Sequence, residues 1–204
     1  MQMYKITGKN GRCCNGGTGQ WHLPTETGPG DWMPEIEGDL LPCENGYHLC
    51  RPQDLVQWFG EAIDEAEYKG DVVEDDNKVV VRKARLICRC ENWNERTARL
   101  FAADCAEHVI HIFEREYPGD KRPRQAIQAT RDFANSKITA AAWDAAWDAA
   151  RAATGDAAWA AARAAAAAAG DAAWAAVGDA AWDAARDAER EWQTAKLMEI
   201  LQGI

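Results

Sequence analysis

ITAAAWDAAWDAARAATGDAAWAAARAAAAAAGDAAWAAVGDAAWDAARDAEREW, residues 138–192, is a tract that alanine fills and that Trp, Asp, Arg and Gly interrupt. Alanine enters a helix without losing side-chain rotamer freedom, so the tract predicts helix. Methyl groups bury little apolar area. Packing between such helices is therefore expected to rest on the indoles of Trp143, Trp147, Trp159, Trp174, Trp182 and Trp192. A Gly-Asp-Ala-Ala-Trp unit recurs from Gly155, Gly170 and Gly178. Each Gly-Asp can end one helix and cap the next, or sit inside a longer helix at a cost of about 1 kcal/mol. The spacing predicts breaks near 155 and 170 and continuity afterwards.

Trp147 with Arg151, Trp159 with Arg163 and Trp182 with Arg186 are spaced so that a guanidinium lies over an indole face on one side of a helix. Two readings compete for these residues. The rings can be core and the charges a solvated face, or the tryptophans can line a surface that recognises another protein. A third reading takes the acidic rows, Asp144, Asp148 and Asp183 among them, as a mimic of nucleic-acid phosphates.

Working outward, residues 92–134 continue the helical pattern. Asn94 suits a helix cap, and a helix over 95–117 would turn Leu100, Phe101, Cys105, His108, Val109, Ile112 and Phe113 inward. Pro118-Gly119-Asp120 stops it. Pro123 opens a second helix to 134 with Ala126, Ile127, Thr130 and Phe133 inward. After the tract, Trp192, Leu197, Ile200 and Leu201 restore amphipathic character.

Residues 1–91 differ in kind. Gly and Pro punctuate 1–50, with strands expected at 3–6, 20–23, 32–36 and 46–50. Pro52 and Asp54 open a short helix that presents Leu55, Val56, Trp58 and Phe59 and ends at Gly60. A strand over 65–73, an acidic turn at 74–77 and a β-branched strand over 78–90 form a hairpin. On that last strand Ala84, Leu86, Cys88 and Cys90 are expected on one face. The fold expected is therefore α+β, a small antiparallel sheet with one helix over 1–91, followed by an all-α, Ala/Trp-rich helical domain over 92–204.

Chemistry-bearing clusters are few. Cys43, His48 and Cys50, with Cys13, Cys14 or His22 nearby in sequence, carry the residue types of a zinc site, although the spacing is not that of a zinc knuckle. Cys105 and His108 lie within reach of each other on one helix, where satisfied core residues are commoner than a nucleophile and its base. Gly16-Gly17-Thr18-Gly19 lacks the Lys-Ser/Thr of a phosphate loop. No cofactor other than zinc at that cluster is expected, and no catalytic residue is assigned.

The 204 residues carry a formal charge of −10 shared by both halves, which argues against direct binding of nucleic acid. Asp and Arg interrupt every apolar run before it could span a membrane. Seven cysteines, without a leader pattern, fit a reducing cytoplasm.

At Glu44-Asn45-Gly46-Tyr47-His48-Leu49-Cys50, the helix at 54–59 and the hairpin through Gly70-Asp71-Val72-Val73 to Val81, the N-terminal half resembles a small domain of bacteriophage and prophage proteins. Asn92-Trp93-Asn94-Glu95-Arg96-Thr97-Ala98-Arg99-Leu100-Phe101, continuing to Tyr117-Pro118-Gly119-Asp120-Lys121-Arg122-Pro123, resembles the helical domain of immunity-like proteins of bacteria. The resemblance implies an immunity-like role and no catalytic residues. The expectation is a non-enzymatic, phage-encoded immunity or counter-defence protein. It would bind a host or phage protein through the Trp-bearing helices, with self-association of the Trp stripe as a further possibility. The alternatives are a metal- or ligand-binding or enzymatic N-terminal domain around His48 and Cys50, and the acidic nucleic-acid mimic.

Overall fold

A computed structural model describes residues 2–150 and 173–203, with the backbone alone for 173–186. The elements in order are β1 (Met3–Thr7), β2 (Tyr47–Leu49), a 3-10 helix (Pro52–Gln57), β3 (Ala62–Asp75), β4 (Lys78–Arg89), α1 (Glu95–Glu116), α2 (Arg122–Ala134), α3 (residues 140–150) and α4 (Ala173–Gln202). This is the expected α+β class. Two compact units are formed, one from Met1–Asn94 with Arg190–Ile204, the other from Glu95–Glu189. The last turns of α4 thus group with the sheet, although in composition they belong with the helices.

The sheet has the order β1-β3-β4-β2, with every pairing antiparallel. Its centre is the β3/β4 hairpin, closed by Asp76-Asn77 and β-branched at Val79, Val80 and Val81, where branched side chains fit a pleated, crowded surface. All three valines are buried, so both sheet faces are covered. Met3, Trp21, Met33, Leu49, Val79, Val81 and Leu86 make one core layer. Their alternates Tyr4, Ile63 and Val80 are buried as well, and so are Leu197 and Leu201 of α4.

Several expectations change for physical reasons. The helix after Pro52 is a single 3-10 stretch, because Asp54 is buried and turned back onto Arg51. The Arg51 backbone N–H donates to Asp54 Oδ2 at 2.9 Å, and its Nε donates to the same oxygen at 2.7 Å. No regular strand forms at 20–23 or 32–36. Instead Gly30, Met33 and Ile36 donate backbone N–H groups to Leu86, Ala84 and Arg82 along β4, a three-residue rhythm in a segment where Pro34 has no N–H to give. Register slips where Ala66 pairs with Leu86 but Glu65 with Cys88. The extra residue reverses the alternation, so Cys88 is exposed although Ala84 and Leu86 are buried. Gly46 has φ +134, and a Cβ there would stand 2.3 Å from Val80 Cγ1, so only glycine lets β2 approach β4.

In the helical unit, Ala103, Ile110 and Ile127 form a compact core. Val109 and Ile112, expected inward on α1, are exposed. Apolar residues ring much of α1, so hydrophobicity alone does not choose its inner face, and ion pairs to α2 accompany the face that is buried. Arg131 Nη2 meets Asp104 Oδ1 at 2.7 Å, and Arg124 Nε meets Glu114 Oε1 at 2.6 Å. α2 begins at Arg122 with Pro123 in its first turn, and Asp120 accepts the Arg122 backbone N–H at 3.0 Å. Thr139 caps α3, its hydroxyl accepting from the Ala142 N–H. The anticipated breaks at Gly155 and Gly170 lie outside the described residues, whereas Gly178 sits within the unbroken α4.

Candidate functional site

The Trp-bearing surface can be built from α2 and α3. Phe133, on the inner side of α2, stacks on Trp143 of α3 with ring centroids 5.3 Å apart and planes 22° apart. Trp143 Nε1–H donates to the buried Thr130 hydroxyl at 3.0 Å, and Thr130 in turn donates to the Ala126 carbonyl. The hydroxyl thus holds the indole by its polar edge. On the other side, the Arg99 guanidinium of α1 lies 4.5 Å from the Phe133 centroid. One turn along α3, Trp147 meets Trp143 edge-on at 6.3 Å and 73°. Trp143 is half-buried and Trp147 is 45 % exposed. An ordered stack that starts at Arg99 therefore ends in an indole open to solvent.

Of the other residues singled out from sequence, Arg151, Trp159 and Arg163 lie outside the described residues, and so do the side chains of Trp174, Trp182 and Arg186. Arg99, Thr130 and Phe133 were not anticipated as supports of the tryptophans. Phe133 could have been suspected from its ten-residue separation from Trp143, across a connection short enough to lay one helix on the other. His108 Nδ1 lies 2.7 Å from Glu189 Oε2, and the Cys105 thiol is pushed up to about 11 by burial and then by Glu189.

In the other unit, Cys13, Cys14, Cys43, His48 and Cys50, scattered in sequence, all line one cavity of about 550 Å³. His22 is exposed and takes no part in it. Cys43 has a left-handed backbone, φ +66, in a tight turn whose Asn45 N–H returns to the Leu41 carbonyl. That turn aims the Cys43 N–H at His48 Nε2, 2.8 Å away. His48 Nε2 is therefore occupied as an acceptor and the ring proton sits on Nδ1. Burial lowers the His48 pKa, with the charges of Lys5 and Lys78 adding to the effect, so the ring is neutral near pH 7. Cys50 is buried and its thiol is pushed up to about 12, chiefly by desolvation. Of the atoms a zinc ion could take here, His48 Nε2 is already bonded to the Cys43 N–H and the Cys50 thiol holds its proton tightly. Among the described residues, no three His, Cys, Asp or Glu side chains are grouped to hold a metal ion.

The same cavity has Lys5 on β1, with Nζ donating to the His48 carbonyl at 3.0 Å and standing 5.1 Å from the Trp21 ring centroid. Sequence inspection passed over Lys5 because a single lysine on a short strand has no distinguishing pattern.

Among the described residues, no helix is long and apolar enough to cross a membrane. A family model described as "Imm-5 like putative immunity protein" matches residues 89–200. No curated protein matches the chain, and no solved structure does.

Proposed function

The chain belongs to the Imm-5 like family of immunity proteins, and from that premise we propose that it works without catalysis, by binding and restraining another protein through the face that carries Trp147. The observation that carries this reading is the Arg99, Phe133, Trp143, Trp147 stack. It backs an indole that is 45 % exposed with an edge-on ring contact, so a partner that covers it would bury a large aromatic surface. Val109 and Ile112, a turn apart on α1 and both exposed, add apolar area to the helical unit. The net charge of −10 favours a basic partner. Immunity implies a toxic protein to be held off. A phage-encoded, counter-defence version of that role is the finer form of the proposal. All seven cysteines are free thiols, which supports action in a reducing cytoplasm.

The test is capture by the tagged full chain from lysate of the source cells, alongside Trp147→Ala. A partner retained by the native chain is expected to lose affinity by about tenfold or more in the variant, since an exposed anchor residue contributes on the order of 2 kcal/mol. Co-expression should relieve that partner's toxicity in the native case alone. A partner held equally by both proteins would refute the assigned surface.

A further inference from the structure

We propose that the cavity of the sheet-bearing unit is a binding site for a small aromatic carboxylate, with the Lys5 ammonium as its counter-ion. The proposal is independent of the protein-binding reading above. At about 550 Å³ the cavity falls within the range of small-molecule sites, roughly 300–1,000 Å³. Its walls carry Trp21, Met33, Ile36, Tyr47 and Trp58, and the Trp21 and Tyr47 rings pack edge-on at 5.4 Å, so the lining suits a flat apolar body.

The charge around the cavity selects the headgroup. Among the described residues Glu44 is the one carboxylate that reaches the lining, and it is exposed. Two lysines reach it. Lys78 Nζ is 2.9 Å from Asp75 Oδ2, so that charge is already matched. Among the described residues no carboxylate pairs with Lys5. Its contacts are a carbonyl and an indole face, which stabilise an ammonium without cancelling it. Cys14 and Cys50 beside it do not cancel it either, because burial raises the pKa of both thiols. Burial accordingly lowers the Lys5 pKa, as expected of a desolvated cation short of counter-charge.

One unmatched positive charge calls for one negative charge. A monoanionic carboxylate balances it, whereas a phosphate dianion would bring an uncompensated charge into an apolar cavity. His48, a neutral imidazole with its proton on Nδ1, gives the lining a second donor beside Lys5.

The full chain is titrated with 4-fluorobenzoate, 4-fluorobenzamide and phenyl phosphate, with binding read by fluorine NMR or by competition against the fluorinated acid. Saturable binding of the acid is expected, with the isosteric neutral amide weaker by about tenfold or more, the worth of one charge-assisted hydrogen bond. Phenyl phosphate should bind no tighter than the acid. Lys5→Met should lose the preference for acid over amide, and Lys5→Arg should keep it. The proposal is overturned by no saturable binding of the acid to the native chain, by equal affinity for acid and amide, or by undiminished preference in Lys5→Met. Tighter binding of phenyl phosphate overturns the monoanion assignment. If Lys5→Met does not fold, the comparison of acid with amide on the native chain still decides.

Discussion

The sheet-bearing unit and the helical unit use charge in opposite ways. In the first, Asp64 is fully buried, gripped by Arg89 through two bonds of 3.0 Å and by the Thr7 hydroxyl at 3.3 Å, inside a layer of large side chains. In the second, Arg131 with Asp104 and Arg124 with Glu114 keep partial contact with water, in a unit whose core is Ala103, Ile110 and Ile127. A desolvated ion pair is costly to break, because the survivor is left as a buried charge. A pair that keeps contact with water contributes less, because water can take the place of the missing partner.

This contrast can be broken by substitution. Asp64→Ala should cost the most, about 3–5 kcal/mol in urea denaturation, whereas Asp104→Ala should cost under about 1 kcal/mol. Similar losses at both positions would erase the distinction. Next in size is Leu197→Ala, at about 3 kcal/mol for a fully buried leucine. Because Leu197 groups with the sheet, the loss should speed hydrogen exchange in β3 and β4, and unchanged exchange there would place the end of α4 elsewhere. Smallest is Thr130→Val, which keeps the shape but strands the Trp143 N–H, at about 1 kcal/mol. A shift of tryptophan fluorescence should accompany it, and an unaltered spectrum would mean that the hydroxyl does not hold the ring.

Much of the fold was legible along the chain. The hairpin could be read from Val79-Val80-Val81 and the acidic turn, and α2 from Pro123 and its inward Ala126, Ile127 and Thr130, because each signal is local and repeats with its element's own period. The inner face of α1 was not legible. Val109 and Ile112 are as apolar as Ile110, and what separates them is that Ile110 packs with Ala103 and Ile127 of α2 whereas they stay exposed. Cys88 defeated simple alternation because one inserted residue in the ladder reverses every later side chain. Of the candidate sites, the Trp143 and Trp147 pair was visible in the tract, but Phe133, Thr130 and Arg99 beneath it were not.

By itself the sequence determined the β3/β4 hairpin, helices α1 and α2, the acidic charge, and the supply of indoles and thiols, since these depend on residue type and spacing over a few positions. Tertiary structure alone decided that Lys5, Cys13, Cys50 and His48 share a cavity, that the end of α4 joins the sheet-bearing unit, and that Trp147 faces water. Those outcomes depend on which distant surfaces exclude water from one another. No local pattern encodes that choice, because the free energy belongs to the pair of surfaces and not to either segment.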